Sequence, residues 1–174
     1  MTTYRCISAD PPWMERGGGK CKRGADNHYD LLHWPDIVRV MVSSPSWRPD
    51  PEGCHLWLWA TNNYLEDALR VMHALGFRYV TNAVWLKVTQ MGLPRMGLGQ
   101  YLRGQHEPLL FGVKGRLAAQ VRNQGTAIVA PRTQHSSKPA AAYERMEAIS
   151  PGPRLEMFAR SPREGWDTWG NEAP

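Results

Sequence analysis

The sequence has little cysteine and no long apolar run. Its three cysteines, Cys6, Cys21 and Cys54, are an odd number without paired spacing, which argues against a disulfide framework and a four-ligand zinc site. The histidines show no H-x-x-x-H spacing either, so we predict no metal. No stretch approaches about 18 consecutive apolar residues, and the first five residues lack the features of a signal peptide. We therefore expect a cytoplasmic protein without a membrane span.

The composition is that of a folded domain with a basic surface. The chain has 174 residues, of which 42% are hydrophobic and 21% charged, values close to those of soluble proteins. We expect one domain over residues 1–174. The net charge of +5 favours polyanionic partners, and the eight tryptophans supply either core volume or faces on which bases stack.

Apolar runs alternate between strand and helix character along the chain. Strands separated by helical segments predict an α/β fold with a largely parallel central sheet and helices on both faces. The predicted strands are Tyr4–Ala9, His55–Ala60, Tyr79–Val88, Glu107–Val113, Ala127–Ala130 and Arg154–Ala159; the predicted helices are Pro35–Val42, Asn63–Leu75 and Lys138–Ile149. In such sheets, ligands bind beyond the carboxyl ends of the strands.

The first predicted strand ends in Asp10-Pro11-Pro12-Trp13, the sharpest local signal. A rigid turn after a strand, with Trp13 in the core, is one interpretation. The other is catalytic: the exocyclic amine of adenine is a poor nucleophile, because its lone pair is delocalised into the ring. A carboxylate and a backbone carbonyl that each accept one of its N–H groups would orient it, and two prolines would stiffen the loop. Trp13 would offer a face to an extruded base.

The motif and several later segments resemble the MT-A70-like family of N6-adenine methyltransferases, in its compact bacterial or phage type. The resemblance spans about residues 4–172, in the family's order. The later segments are Trp85-Leu86-Lys87, His106-Glu107 through Gly112-Val113-Lys114-Gly115, Ser136-Ser137-Lys138-Pro139, Ser150-Pro151-Gly152, Leu155 to Arg160, and Trp166 with Trp169-Gly170-Asn171-Glu172.

This resemblance implies a Rossmann-like methyltransferase fold in permuted order, with the catalytic motif before the cofactor-binding segment. It also implies S-adenosylmethionine as methyl donor. The catalytic residues it implies are Asp10, Pro11, Pro12 and Trp13, and the cofactor-binding residues are Ala9, Asp10, Lys138, Arg160, Asn171 and Glu172. For Lys138 and Arg160, a solvated helix start and a strand end are the alternatives.

The sequence departs from the family pattern at three points. Pro162-Arg163 stands where relatives often have His-Asn, so the ribose contacts are open. Glu172 stands where Gln is also found, and a carboxylate accepts but does not donate a hydrogen bond. Only nine residues precede Asp10, so we expect the cofactor-contacting aspartate that eukaryotic relatives carry upstream to be absent or replaced.

Basic segments are the candidates for substrate binding. The loop from Glu15 to Gly24 fails the P-loop pattern, since Cys21 follows Lys20 where that pattern needs Ser or Thr. We interpret it as a gate that meets phosphates, with an ordinary disordered loop as the alternative. The predicted substrate-binding residues are Arg16, Lys20, Lys22, Arg23, Tyr29, Lys87, Arg95, Arg103 and His106.

The expected activity is therefore methyl transfer to adenine N6 in nucleic acid. Because the chain shows no added RNA-binding module, DNA is favoured over RNA, which stays an alternative. Extruding a base from a duplex costs a few kcal/mol, so single-stranded or mismatched sites should be preferred. A non-catalytic nucleic-acid-binding scaffold with the same fold is the alternative from another class. A homodimer is possible, although no interface is visible in the sequence.

Overall fold

A computed structural model describes residues 2–14, 31–99, 101–132 and 137–170. Seven strands form one mixed sheet in the order β5-β3-β4-β2-β1-β6-β7. The strands are β1 (Cys6–Ala9), β2 (Gly53–Trp59), β3 (Arg78–Val88), β4 (His106–Gly115), β5 (Ala127–Pro131), β6 (Arg154–Met157) and β7 (Asp167–Trp169). The helices are α1 (Trp34–Ser43), α2 (Leu65–Ala74), preceded by a 3-10 turn at Asn62–Tyr64, and α3 (Ala140–Ile149).

Four of the neighbouring strand pairs in the sheet are parallel, and β4 runs antiparallel to both β2 and β3. The prediction of a largely parallel α/β sheet is thus confirmed, with β4 as the exception. The sequence could not show the direction of β4, because its apolar run is buried on both faces and lacks the alternation of a half-exposed strand.

Helices cover both faces of the sheet, as predicted. On one face, Ile37 and Met41 of α1 and Val71 and Met72 of α2 belong to one buried cluster. On the other face, Met146 of α3 packs with the tryptophans of β2 and β3. The buried positions of α2 (Ala68, Val71, Met72) and of α3 (Ala142, Tyr143, Met146) recur every three or four residues, the spacing that turns one face of a helix towards a core. Among the described residues, no helix is long and apolar enough to cross a membrane.

The last strands differ from the prediction. The run Arg154–Ala159 is a strand only as far as Met157, because Phe158 adopts a left-handed backbone with φ of 62°. The short strand β7, which the sequence pattern does not predict, then pairs in parallel with β6. Three residues are too few for periodicity to reveal a strand.

Candidate active site

The motif Asp10-Pro11-Pro12-Trp13 directly follows β1, an interior strand of the sheet between β2 and β6. The backbone N–H of Asp10 donates to the carbonyl of Met157 (3.4 Å), which ties the start of the motif to β6. The carbonyl of Pro11 accepts the N–H of Trp13, and that of Pro12 accepts the N–H of Leu32, both at 2.9 Å. Each carbonyl keeps a second lone pair, so the prolines present fixed acceptors beside the Asp10 carboxylate.

Four charged side chains form a chain of ion pairs at this edge of the sheet. The Lys138 ammonium lies 2.8 Å from Asp10 Oδ2 and 3.3 Å from Glu107 Oε2. Lys87 Nζ lies 2.5 Å from Glu107 Oε1. The side chain of Lys138 is only 11% exposed, and those of Asp10 and Glu107 are 22% exposed. Because little water screens these charges, each carboxylate is held by a neighbouring ammonium.

The network fixes the charge state of its inner members. Burial alone would raise the pKa of the Glu107 carboxyl, but the Lys138 and Lys87 ammonium groups outweigh it and lower that pKa. Burial would likewise lower the pKa of Lys138, yet the Asp10 and Glu107 carboxylates raise it. Both groups are therefore ionised at neutral pH, and Lys138 orients the Asp10 carboxylate by a charge-assisted hydrogen bond.

The antiparallel direction of β4 places Glu107 in this network. Glu107 is the second residue of β4 and lies opposite Trp85 of β3, so its side chain meets the carboxyl ends of the parallel strands β1 and β3. Sequence reasoning noted Glu107 beside His106 but did not include it among the site residues. A signal that points to it is the charge complementarity between Lys87 and Glu107 on strands that are successive along the chain.

Two indole rings form a floor beneath the lysines. Lys138 Nζ lies 5.1 Å from the centroid of the Trp59 ring and Lys87 Nζ 5.2 Å from that of Trp85, and both rings are buried. A cation over an indole face is stabilised by the ring quadrupole. Trp59 and Trp85, which the sequence predicts in the core, thus also support the charged groups.

These residues line a pocket that opens to solvent and has a cavity volume of about 190 Å³. A few polar groups beside aromatic rings are typical of sites for small organic ligands. The lining comprises Asp10, Pro11, Pro12, Trp13, Ala60, Thr61, Trp85, Lys87, Glu107, Arg132, Ser137, Lys138 and Arg160. The pocket thus unites the four motif residues with Lys87, Lys138 and Arg160 from the predicted set.

Trp13 is more enclosed than a free stacking platform. It is 5% exposed, its Nε1 donates to the carbonyl of Trp59 (3.0 Å), and its ring stacks on Tyr64 with centroids 6.4 Å apart. Tyr64 is in turn fixed by its hydroxyl, which donates to the Met14 carbonyl (2.8 Å). Stacking of a base on Trp13 stays a prediction, and only the part of the indole that borders the pocket is available for it.

Other predicted site residues lie elsewhere. Ala9 is buried at the end of β1, and His106 is exposed at the start of β4. Arg95 and Arg103 are exposed in the connection between β3 and β4. The predicted residues Arg16, Lys20, Lys22, Arg23, Tyr29, Asn171 and Glu172 lie outside the described part of the chain.

Arg163, at the position where ribose contacts were in question, packs away from the pocket lining. Its guanidinium carbon lies 3.4 Å from the centroid of the Tyr143 ring, and its Nε lies 3.9 Å from Glu156 Oε2. The Tyr143 hydroxyl donates to Glu156 Oε1 (2.5 Å). Burial is the main reason that the pKa values of both Tyr143 and Glu156 are raised. Arg163 therefore joins α3 to β6, beside the pocket residue Arg160.

The segment that carries Arg160 is shaped by a close backbone approach. Phe158 has its left-handed backbone here and packs edge-on against Trp169, with ring centroids 5.7 Å apart. A Cβ on Gly170 would lie 2.2 Å from the carbonyl oxygen of Ala159, a distance that atoms do not adopt. Only glycine fits at 170, and this fit sets the turn that brings Arg160 to the pocket.

Two buried polar atoms near the pocket have no hydrogen-bond partner among the described residues. They are the Oγ1 of Thr61, which lines the pocket, and the Nε1 of Trp59 beneath Lys138. Buried polar groups are normally paired, so polar ligand atoms in the pocket are a reasonable complement. Among the described residues, no group of histidine, cysteine or carboxylate side chains could hold a metal ion.

A mixed seven-strand sheet with helices on both faces and an acidic residue at a central strand end is consistent with a Rossmann-like methyltransferase fold. The family model MT-A70 matches residues 4–172. The chain belongs to the MT-A70 family, and the predicted Rossmann-like methyltransferase fold is confirmed.

Individual relatives agree with this assignment. Over 98% of its length, the chain is 28% identical to the type II methyltransferase M.MunI of a Mycoplasma species, of which it covers 78%. It is 30% identical over 97% of its length to the human N(6)-adenosine-methyltransferase catalytic subunit METTL3. It is 28% identical over 98% to the human N(6)-adenine-specific methyltransferase METTL4. The chain spans 28% of METTL3 and 37% of METTL4.

Proposed function

We propose that this protein transfers a methyl group from S-adenosylmethionine to the N6 amine of adenine in nucleic acid, with DNA as the preferred substrate. The observation that carries the proposal is the Asp10 carboxylate, held at 2.8 Å by Lys138 beside the fixed carbonyls of Pro11 and Pro12. The Asp10 carboxylate and a proline carbonyl are two separate acceptors, which suits an amine that has two N–H groups.

The pocket residues fit the proposed donor. When bound, S-adenosylmethionine supplies an electrophilic methyl group, and its methionine end carries one ammonium and one carboxylate. Asp10 and Lys138 offer the complementary pair of charges, and Arg160 lines the same pocket. Thr61 Oγ1, an unpaired polar atom of the pocket lining, offers a further hydrogen bond. We assign Lys138 and Arg160 to this ligand, and extend the assignment to Ala9, Asn171 and Glu172 from the resemblance alone.

The chain's own residues would act by positioning and polarising. Asp10 accepts one N–H of the amine and a proline carbonyl accepts the other, so that the nitrogen lone pair points out of the base plane. Lys138, itself held by Glu107, keeps Asp10 in place while the amine reacts. Trp13 and Trp85 line the same pocket and would exclude water from the base.

The similarity to a type II methyltransferase, to which the chain is 28% identical over 98% of its length, supports the preference for DNA. We further propose that single-stranded or mismatched adenines react faster than paired ones, since they cost less to extrude. Matched DNA and RNA oligonucleotides, each with one adenine, test the first point directly.

The decisive variant is Asp10→Asn, which keeps the shape of the side chain but removes its charge. We expect methyl transfer from labelled S-adenosylmethionine to fall by at least about a hundredfold, the scale on which positioned polar groups contribute. Asp36→Asn, which removes a surface carboxylate paired with Arg39, is the matched control and should keep full activity. Full activity of Asp10→Asn would refute the mechanism. Nucleic-acid binding without any transfer by the wild type would favour the scaffold alternative.

A further inference from the structure

The connection between β3 and β4 carries an unusual number of exposed apolar side chains. Tyr101 is 98% exposed and Leu102 is 89% exposed. Within the described part of the chain, six of the ten large hydrophobic residues that are exposed belong to this one connection. They are Met91, Leu93, Met96, Leu98, Tyr101 and Leu102, here called the apolar loop. Contiguous exposed apolar residues usually mark a contact surface.

Backbone contacts give the apolar loop a definite shape. The N–H of Gly97 donates to the carbonyl of Gly104 (2.8 Å), and the N–H of Gly104 donates to that of Leu98 (3.0 Å). Arg103 Nε also donates to the Gly97 carbonyl (2.8 Å). A Cβ on Gly97 would lie 2.4 Å from the oxygen of Gly104, so the two limbs of the loop touch. The apolar side chains are thus held out by a closed backbone turn.

The apolar loop starts at the candidate active site. Lys87, which lines the pocket, accepts the N–H of Arg95 at its carbonyl (2.8 Å) and donates its own N–H to the carbonyl of Gln105 (2.8 Å). Both limbs therefore begin next to a residue of the pocket. Whatever the apolar loop contacts must lie beside the mouth of the site.

The charge of the segment favours a polyanion as its binding partner over a second copy of this chain. Residues 89–105 contain two arginines and no acidic residue, and Arg95 and Arg103 are both exposed. Against the same segment of a second copy, these arginines would find no acidic partner. A nucleic-acid strand offers phosphates to the arginines and apolar base faces to the side chains between them.

We propose that the apolar loop is a wedge that enters the base stack of duplex DNA and promotes extrusion of a paired adenine into the pocket. The proposal rests on the proposed function and deepens it. Proteins that unstack DNA insert leucine, methionine or similar side chains between base steps. Leu98 and Leu102 are the inserted residues, Tyr101 stacks on an exposed base, and Arg95 and Arg103 contact the flanking phosphates.

The experiment compares three substrates of one sequence: single-stranded DNA, perfect duplex, and duplex with a mismatch at the target adenine. The test variant is Leu98→Ser with Leu102→Ser, in the full chain. Val42→Ser on α1, which is 50% exposed on a helix, is the control. We expect the duplex rate of the test variant to fall by about tenfold, while the single-strand and mismatch rates change less than about twofold, because only the paired base needs unstacking.

The outcomes distinguish a wedge from a protein contact and from a folding defect. Equal loss on all three substrates, or a change of oligomeric state in light scattering, would overturn the wedge and indicate a protein contact or a folding defect. An unchanged duplex rate would also overturn it. Circular dichroism of each variant tells a folding defect from a protein contact. If the wild type methylates none of the substrates, the proposed function itself fails, which is a different result from an unchanged ratio of duplex to single-strand rates.

Discussion

Removal of the Lys138 charge is the most direct test of the ion-pair network. In Lys138→Met, the apolar stem stays over Trp59, but Asp10 loses the ammonium 2.8 Å away and Glu107 loses the one 3.3 Å away. Lys87 still pairs with Glu107, so the main loss falls on Asp10. Breaking a buried pair from one side costs about 3–5 kcal/mol. Because the carboxylates are 22% exposed, water replaces part of the lost interaction. We therefore expect the free energy of unfolding to fall by about 2–3 kcal/mol, less than for a fully buried pair.

The cost should depend on pH, because Glu107 is a member of the network. The pKa of Glu107 in the folded protein is lower than its ordinary value of 4.5. Its ionised form therefore stabilises the fold at any pH above 4.5, and this contribution is lost as the pH falls through the folded-state pKa. Without Lys138, burial is opposed by Lys87 alone and the pKa rises. The variant should therefore be most destabilised near pH 7 and less so below pH 4.5.

Urea unfolding followed by circular dichroism at several pH values measures both effects. For a chain of this size, about 2–3 kcal/mol corresponds to a fall in Tm of roughly 4–12 °C. Arg70→Met, which removes ion pairs of α2 that are exposed to solvent, is the matched control and should cost less than about 1 kcal/mol. A cost for Lys138→Met as small as that of the control, or one independent of pH, would refute the reasoning.

Two further predictions concern stability. His55 is buried; its Nε2 donates to the Leu117 carbonyl (3.1 Å) and its Nδ1 accepts from the Ser150 hydroxyl (2.9 Å). Burial lowers the pKa of His55, so the unfolded chain binds this proton more readily, and the free energy of unfolding should fall as the pH drops through 6.5, by at most ~1.4 kcal/mol per pH unit. His55→Gln should flatten that slope in urea titrations, and an unchanged slope would contradict the assignment. Gly170→Ala places a Cβ 2.2 Å from the Ala159 carbonyl oxygen, and the backbone shift that relieves this clash should cost about 1–3 kcal/mol. Binding of S-adenosylmethionine, measured by calorimetry, should weaken as well. A variant as stable as the wild type would show that the turn adapts.

Much of the fold can be predicted from local patterns. The runs around Ile7, Leu56 and Ile128 lie in strands, and the helical spacing of Leu69, Met72 and Leu75 identifies α2 and its end, with bounds that differ by only a few residues. These patterns succeed because each element buries one continuous apolar surface. The direction of β4 and the existence of β7 depend on contacts with distant strands, which no local pattern contains.

The candidate site was predictable in part for the same reason. Asp10 and Lys138 carry strong local signals, a strand end with two prolines and a helix start, and the structure brings them to 2.8 Å. Glu107 needs the register of β4 against β3 before its position is defined. Arg132 and Thr61 also line the pocket, yet nothing in their neighbouring residues distinguishes them from other loop residues.

The order of strands also determines when during synthesis the pocket can form. β1 pairs with β2 on one side and with β6 on the other. Asp10 leaves the ribosome long before β6, and Lys138 comes only shortly before β6. A nascent chain that stops before residue 154 therefore has a buried apolar strand with one open edge, the kind of edge that pairs with other chains. The catalytic end should thus fold only after β6 has been synthesised, and chains truncated before β6 should aggregate before they show any methyl transfer.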